Sequence, residues 1–284
     1  TEIHIKFFME NTRVLFVCSE ITPYLPETPI STIGRQLPQG IQDLGHEIRT
    51  FMPRYGCINE RRNQLHEVIR LSGMNLIIND TDHPLIIKVA SISAARMQIY
   101  FIDNDDYFHR KNLYRDNDGN FFADNDERSI FFARGVLETV RKLRWSPNVV
   151  HCHGWFSALM AVYLKKSYKD DPLYANSKVV ISIYGEDFTE SFSEDFKKKA
   201  VYDGLKAKDL ELLNEPDYVN LMKLCINHAD GVIAGSPEIN AELKQYIEEN
   251  DKLFLEYQQP EEYIQAYSDF YEQVLNAKKR KKKK

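Results

Sequence analysis

Five short apolar runs alternating with helix-patterned segments predict an α/β fold built on one doubly wound parallel sheet. The runs are Arg13–Cys18, His46–Met52, Asn148–Cys152, Lys178–Ile183 and Gly231–Ala234, each too short for a helix and rich in the branched residues of buried strands. The segments between them carry helical start and stop signals rather than hairpin turns. The first strand–helix–strand passage must therefore cross over right-handed.

Taken in order, RVLFVC at Arg13–Cys18 is the first strand, followed by a proline-rich loop over Thr22–Pro29. Ser31 or Thr32 is the expected cap of a helix running to Leu44, with Gly45 as its stop. His46–Met52 returns as a strand ended by Pro53. The segments His66–Leu71, Leu76–Ile78, Leu85–Ala90 and Met97–Ile102 read as a small antiparallel excursion from the main sheet. Asp103–Asn125, crowded with Asp, Asn and aromatics, reads as an irregular loop with one short turn. An amphipathic helix then runs from Asn125 or Asp126 to Leu143, with Ile130, Phe131, Val136, Leu137 and Val140 on one face. Further helices are expected from Trp155 to Lys166, over Tyr218–His228, from a Ser236 cap with Pro237 at its first position, and over Glu261–Ala277.

The chain has 284 residues, 43% hydrophobic and 28% charged, which excludes wholesale disorder. No apolar run reaches the ~18 residues of a membrane span, and residues 1–16 lack the pattern of a secretory signal. Cys18, Cys57, Cys152 and Cys225 are scattered, as expected of reduced thiols in a cytoplasmic protein. The net charge of −5 averages two parts: outside the seven basic residues of Lys278–Lys284, 30 basic side chains face 42 acidic ones. An acidic body is a poor nucleic-acid binder, so any such contact is expected only through that tail. The expected organisation is an extension over 1–10, one domain over 11–277, and a basic tail over 278–284.

Ligand crevices in such sheets lie at the strands' carboxyl ends. The first such loop, SEITPYLPETPI, has no glycine before Gly34 and carries Glu20 and Glu27, so it is a poor phosphate cradle. His151 and His153 share one face of their strand and could support a metal, but no third ligand is near in sequence. Packing or hydrogen bonding is the competing use, and no metal or cofactor is expected. A sugar subsite is a further use: His153 donates to hydroxyls, Trp155 stacks on a hexose face, and Tyr184 joins them from the next strand end. Glu20, Glu186 and Ser236 are expected to line the same cleft. Glu186 and Asp187 look catalytic as a pair, although solvated acids in such loops are commoner, and no residue is assigned as catalytic. No Ser–His–Asp arrangement is visible.

RVLFVCSEITPY, LPQGIQDLGHEIRTFMPRYG, YFIDNDDYFHRKNLY, DNDERSIFFARGVLE, WSPNVVHCHGWFSALMAVYLK and ADGVIAGSP together resemble the bacterial ADP-glucose-type glycogen/starch synthases, from about Arg13 to Glu249. The resemblance implies the N-terminal, glucan-acceptor half of a GT-B glycosyltransferase, a Rossmann-like domain. In that family a second such domain binds most of the sugar nucleotide, and glucose is transferred between the two with retention and without a metal. That second domain is expected to be missing here.

The chain departs from the family pattern at three places, one of them the loop that contacts the nucleotide sugar's phosphates and glucose. The family's Lys-Thr-Gly-Gly-Leu-Ala-Asp loop falls on Pro26-Glu27-Thr28-Pro29-Ile30-Ser31-Thr32. His-Asp-Trp-His becomes His153-Gly154-Trp155-Phe156, and Ile-His-Asn becomes Ile183-Tyr184-Gly185. Asp124-Asn125-Asp126-Glu127-Arg128 and Ser236-Pro237 keep the pattern. Three functions stay open: half of a glucosyltransferase completed by a partner chain, a non-catalytic module holding glucan or a small sugar, and an interaction protein. A domain with altered nucleotide-sugar loops is expected to be inactive alone. The implied ligands are α-glucan or ADP-glucose, and a homodimer or a protein partner is expected to cover the face that met the second domain.

Overall fold

A computed structural model of the chain describes residues 11–277. The expected extension over 1–10 and the basic tail over 278–284 lie outside the described residues. The elements in order are β1 (Arg13–Cys18), α1 (Pro29–Asp43), β2 (Glu47–Pro53), β3 (His66–Glu67), β4 (Met74–Ile78), β5 (Thr81–Ile92), β6 (Met97–Asp103), α2 (Asp105–Phe108) and α3 (Asn125–Lys142). There follow β7 (Val149–His153), α4 (Leu159–Lys165), β8 (Lys178–Ile183), α5 (Phe196–Ala200), α6 (Tyr218–His228), β9 (Gly231–Ala234), α7 (Ala241–Glu249), β10 (Phe254–Leu255) and α8 (Tyr263–Asn276).

The strands form one mixed sheet in the order β10-β9-β8-β7-β1-β2-β6-β5-β3, with β4 paired to β5. The run from β10 to β6 is parallel throughout. The strand order therefore reverses between β1 and β7, where a doubly wound sheet opens its crevice. β5 runs antiparallel to β6, and β3 and β4 are antiparallel to β5, which makes the expected excursion.

Alternation along β1 divides the core. Val14 and Phe16 face α1 and α8, together with Leu37, Ile41, Tyr267 and Phe270. Leu15 and Val17 face the opposite layer, where Ile130, Phe131, Leu159 and Leu221 of α3, α4 and α6 pack. Each β1 side chain from Val14 to Cys18 is fully buried, as required of a parallel strand covered on both faces.

Several expected boundaries move. Met97–Ile102 is not only part of the excursion: as β6 it pairs in parallel with β2 and belongs to the main sheet. β10 extends the other edge with two residues, too few for a sequence pattern to show. α1 is capped by Thr28 rather than Ser31 or Thr32, with Pro29 in the first turn. Its stop at Gly45 stands, with φ at +95°. The segment after β7 begins with a 3-10 turn over Trp155–Ser157 before α4. Ser236 caps no helix; α7 starts five residues later, capped by Asn240.

Candidate functional site

A cleft of about 370 Å³ opens at the carboxyl ends of β1, β7, β8 and β9. It is lined by Glu20 after β1, Trp155 after β7, Tyr184 and Glu186 at the end of β8, and Ser236 after β9. The irregular segment before α3 closes one side with Tyr114, Arg115 and Phe121. Five of the six expected site residues thus meet in one place. His153 does not line it.

His153 lies beneath the cleft floor, fully buried, with Nδ1 paired to the Tyr184 hydroxyl at 2.6 Å. Its ring stacks on His151 at 4.0 Å, and His151 pairs with the Tyr271 hydroxyl at 2.5 Å and Ser182 Oγ at 2.7 Å. Burial pushes His153 down to about 3 and holds His151 well below its usual 6.5. The pair is a neutral, hydrogen-bonded prop for the sheet. Among the described residues no cluster of His, Cys, Asp and Glu could hold a metal ion.

Trp155 is 3% exposed, and its ring is packed by Tyr114, Phe156, Phe188 and Phe192 at centroid distances of 5.1 to 5.5 Å. Tyr184 is 2% exposed, with its hydroxyl committed to His153. Both shape the wall; neither offers a free face for stacking on a hexose.

Carboxyl groups dominate the polar surface. Glu186 Oε1 accepts the Trp155 N–H at 2.7 Å. Burial, reinforced by the charges of Glu20 and Asp187, pushes Glu186 up to about 8. Glu20 is also raised by burial, partly offset by the Thr28 hydroxyl, which donates to its Oε1 at 3.1 Å. Asp187, by contrast, is exposed and accepts from Asn240. The adjacent pair therefore splits into one pinned, half-buried acid and one solvated acid. Among the described residues the only basic one in the lining, Arg115, is paired with Glu190. Ser236 Oγ accepts the Gly185 N–H at 3.0 Å, tying the β8 and β9 loops together.

The start of α1 faces the same cleft, but the N–H groups of Thr28, Ser31 and Thr32 are spent internally. The Ser31 N–H donates to Thr28 Oγ1 at 3.0 Å, and Ser31 Oγ accepts the Thr28 N–H at 2.8 Å. The Thr32 N–H goes to the Thr28 carbonyl at 3.0 Å, and Pro29 has none to give. A helix start of this kind, set between Glu20 and Glu186, has little left for an anion. Sequence reading missed Tyr114, Arg115 and Phe121 as wall residues; the aromatics crowded into Asp103–Asn125 were their only trace. Among the described residues no helix is long and apolar enough to cross a membrane.

Comparison with known proteins agrees with this architecture. Residues 13–254 match the family model of the starch synthase catalytic domain. The glycogen synthase of Chlorobium limicola is 31% identical over 223 residues, covering 78% of this chain and 45% of that one. That of Chlorobaculum tepidum is 35% identical over 228 residues, covering 80% and 46%. The chain thus spans a little under half the length of these relatives. Among solved structures, the catalytic domain of starch synthase IV from Arabidopsis thaliana, bound to ADP and acarbose, superposes with a TM-score of 0.72 over 88% of this chain and 52% of that one, at 18% identity. That likeness is one of fold. With the family model covering all but the outermost elements, this chain belongs to the starch synthase catalytic domain family.

Proposed function

We propose that this domain binds an uncharged α-1,4-glucan in the cleft between Glu20, Glu186 and Ser236 and does not by itself transfer glucose from a nucleotide sugar. The observation that carries the reading is the start of α1, capped from within by Thr28 and Ser31 and flanked by two carboxyl groups. A diphosphate placed there would meet acids. Loss of the family's lysine removes a charge-assisted contact worth roughly 1.5–3 kcal/mol. Sugar hydroxyls suit the same groups, because a carboxylate accepts from them and a protonated carboxyl also donates. The glycogen synthase relatives point to α-glucan as the hydroxyl-rich ligand.

The test is transfer of labelled glucose from ADP-glucose to glycogen by the purified chain, beside a calorimetric titration with malto-oligosaccharides. Glucan binding without turnover is expected. Glu186→Leu and Glu20→Leu should each weaken it by about ten-fold, the loss of one hydrogen-bonding carboxyl group. Turnover by the chain alone, or no glucan binding, would overturn the proposal.

A second reading makes the chain half of a glucosyltransferase completed by a partner chain. The protonated Glu186 favours it, since a carboxyl held near 8 in a cleft is what general-acid chemistry uses. A partner, or a second copy of this chain, would then cover the cleft rim. Adding the remaining half of the Chlorobaculum tepidum enzyme should in that case switch on transfer, and unchanged silence would count against it.

A further inference from the structure

A second cleft of about 410 Å³ lies on the other side of the α1 start. Thr28, Pro29 and Ser236 line both clefts, so the two meet across a shared saddle. Its far wall comes from Tyr257, Gln258 and Tyr263, with Gln36 of α1 opposite. The first three lie beyond residue 254, where the family match ends.

We propose that the second cleft is an additional glucosyl subsite, so that the ligand is a linear glucan lying across the Thr28–Pro29–Ser236 saddle. This rests on the glucan reading above and deepens it. The lining supports a neutral hydroxylated ligand: among the described residues it contains no basic side chain and a single carboxylate, Glu27, beside tyrosine, threonine and serine hydroxyls and glutamine amides. Anions therefore lack a partner there, while sugar rings find aromatic surface and hydrogen-bonding groups side by side. The groups are within reach of a ligand, since Tyr257 and Gln258 are half-buried and Gln36 is exposed. The Tyr263 hydroxyl donates to Gln36 Oε1 at 3.2 Å, which fixes the amide and leaves its nitrogen to donate elsewhere. Either cleft alone is near the lower end of ligand sites, about 300–1,000 Å³. Together they suit a chain of sugars better than a single ring.

The experiment is calorimetric titration of maltose, maltotriose and maltohexaose into the full chain and into Tyr257→Ala and Gln36→Ala. Affinity should rise by about ten-fold or more from maltose to maltohexaose. Tyr257→Ala should erase that gain while leaving maltose binding unchanged, and Gln36→Ala should reduce it in the same selective way. Thermal melting of both variants checks that they fold; Gln36, being exposed, keeps the test open if Tyr257→Ala does not. Maltose binding with no gain in length, or equal losses for short and long sugars, would sink the subsite alone. Absence of binding at every length would sink the glucan reading with it.

Discussion

The Glu186 carboxylate sits directly over Gly154. A Cβ on Gly154 would stand 2.6 Å from Glu186 Oε1 and 3.1 Å from Oε2, and the same Oε1 takes the Trp155 N–H. Gly154 also has φ at +76° and ψ at 178°, a conformation that glycine adopts and side-chain-bearing residues resist. The glycine and the acid depend on each other: the missing side chain makes the room that the carboxyl fills.

Gly154→Ala should therefore do two things. The backbone conformation alone costs an alanine about 1–3 kcal/mol, so the melting temperature should fall. The methyl group should also push the carboxyl outward, bringing its titration down from about 8 toward the ordinary 4.5. Carboxyl NMR titration reads the second effect separately. An alanine variant with unchanged stability and an unchanged Glu186 titration would mean that the contact carries no weight.

The pH dependence of stability should have two opposed limbs. Folding holds the Glu186 proton up to about 8, whereas the unfolded chain releases it near 4.5. Across that interval the folded state binds more protons, so stability from this group falls as pH rises; Glu20, raised in the same direction, adds to it. His151 and His153 act oppositely. Their pKa values are lowered by burial, so below about 6.5 the unfolded chain takes up protons that they refuse, and stability falls as pH drops toward 3. Calorimetric melting from pH 4 to 9 should show Glu186→Gln losing part of the alkaline-going decline and keeping the acid limb. Identical slopes in variant and parent between pH 5 and 8 would refute the assignment.

The central strands were legible in the sequence because burial on both faces writes itself as an unbroken apolar run, as in RVLFVC and KVVISI. β10 was not, since two residues carry no period. The role of Ser236 was misread because Ser-Pro-Glu is a good local helix start, yet Ser236 Oγ is taken by the Gly185 N–H of the neighbouring loop. The site was legible as a set of loops and not as chemistry. His153 and Trp155 have the residue types of a sugar subsite, but partners from distant segments bury them. Replacement of the family's aspartate at position 154 read as a lost acid. Glu186, arriving from the next strand, brings a carboxyl group to within 2.6 Å of where a Cβ at 154 would stand, a closeness that only tertiary contact reveals.

Thr28→Ala removes the hydroxyl that caps α1 and supports Glu20. Loss of an N-cap costs about 0.5–2 kcal/mol, so the urea midpoint should drop accordingly. Glu20 should titrate higher still, because the Thr28 bond is what holds its rise in check. Thr28→Ser, which keeps the hydroxyl, should restore both. If serine fails to rescue Glu20, its titration is governed by burial alone.

The wall that closes the cleft hangs on one buried cation. Arg128 is completely buried and donates Nε to the Tyr107 carbonyl at 2.8 Å, and Nη1 to the Leu113 carbonyl at 2.6 Å and Asn125 Oδ1 at 2.7 Å. The Phe108 and Phe122 rings flank the guanidinium at 5.3 and 5.4 Å. These bonds pin the chain just ahead of Tyr114, Arg115 and Phe121 to the first turn of α3. Arg128→Met should leave buried acceptors unpaired at about 1–3 kcal/mol each. Arg128→Lys should rescue little, because an ammonium cannot present a planar fork to three acceptors. Limited proteolysis should then cut within residues 105–125, and glucan binding should weaken as that wall loosens. A methionine variant that resists cleavage there and keeps its urea midpoint would show that the aromatic packing around Trp155 holds the segment without Arg128.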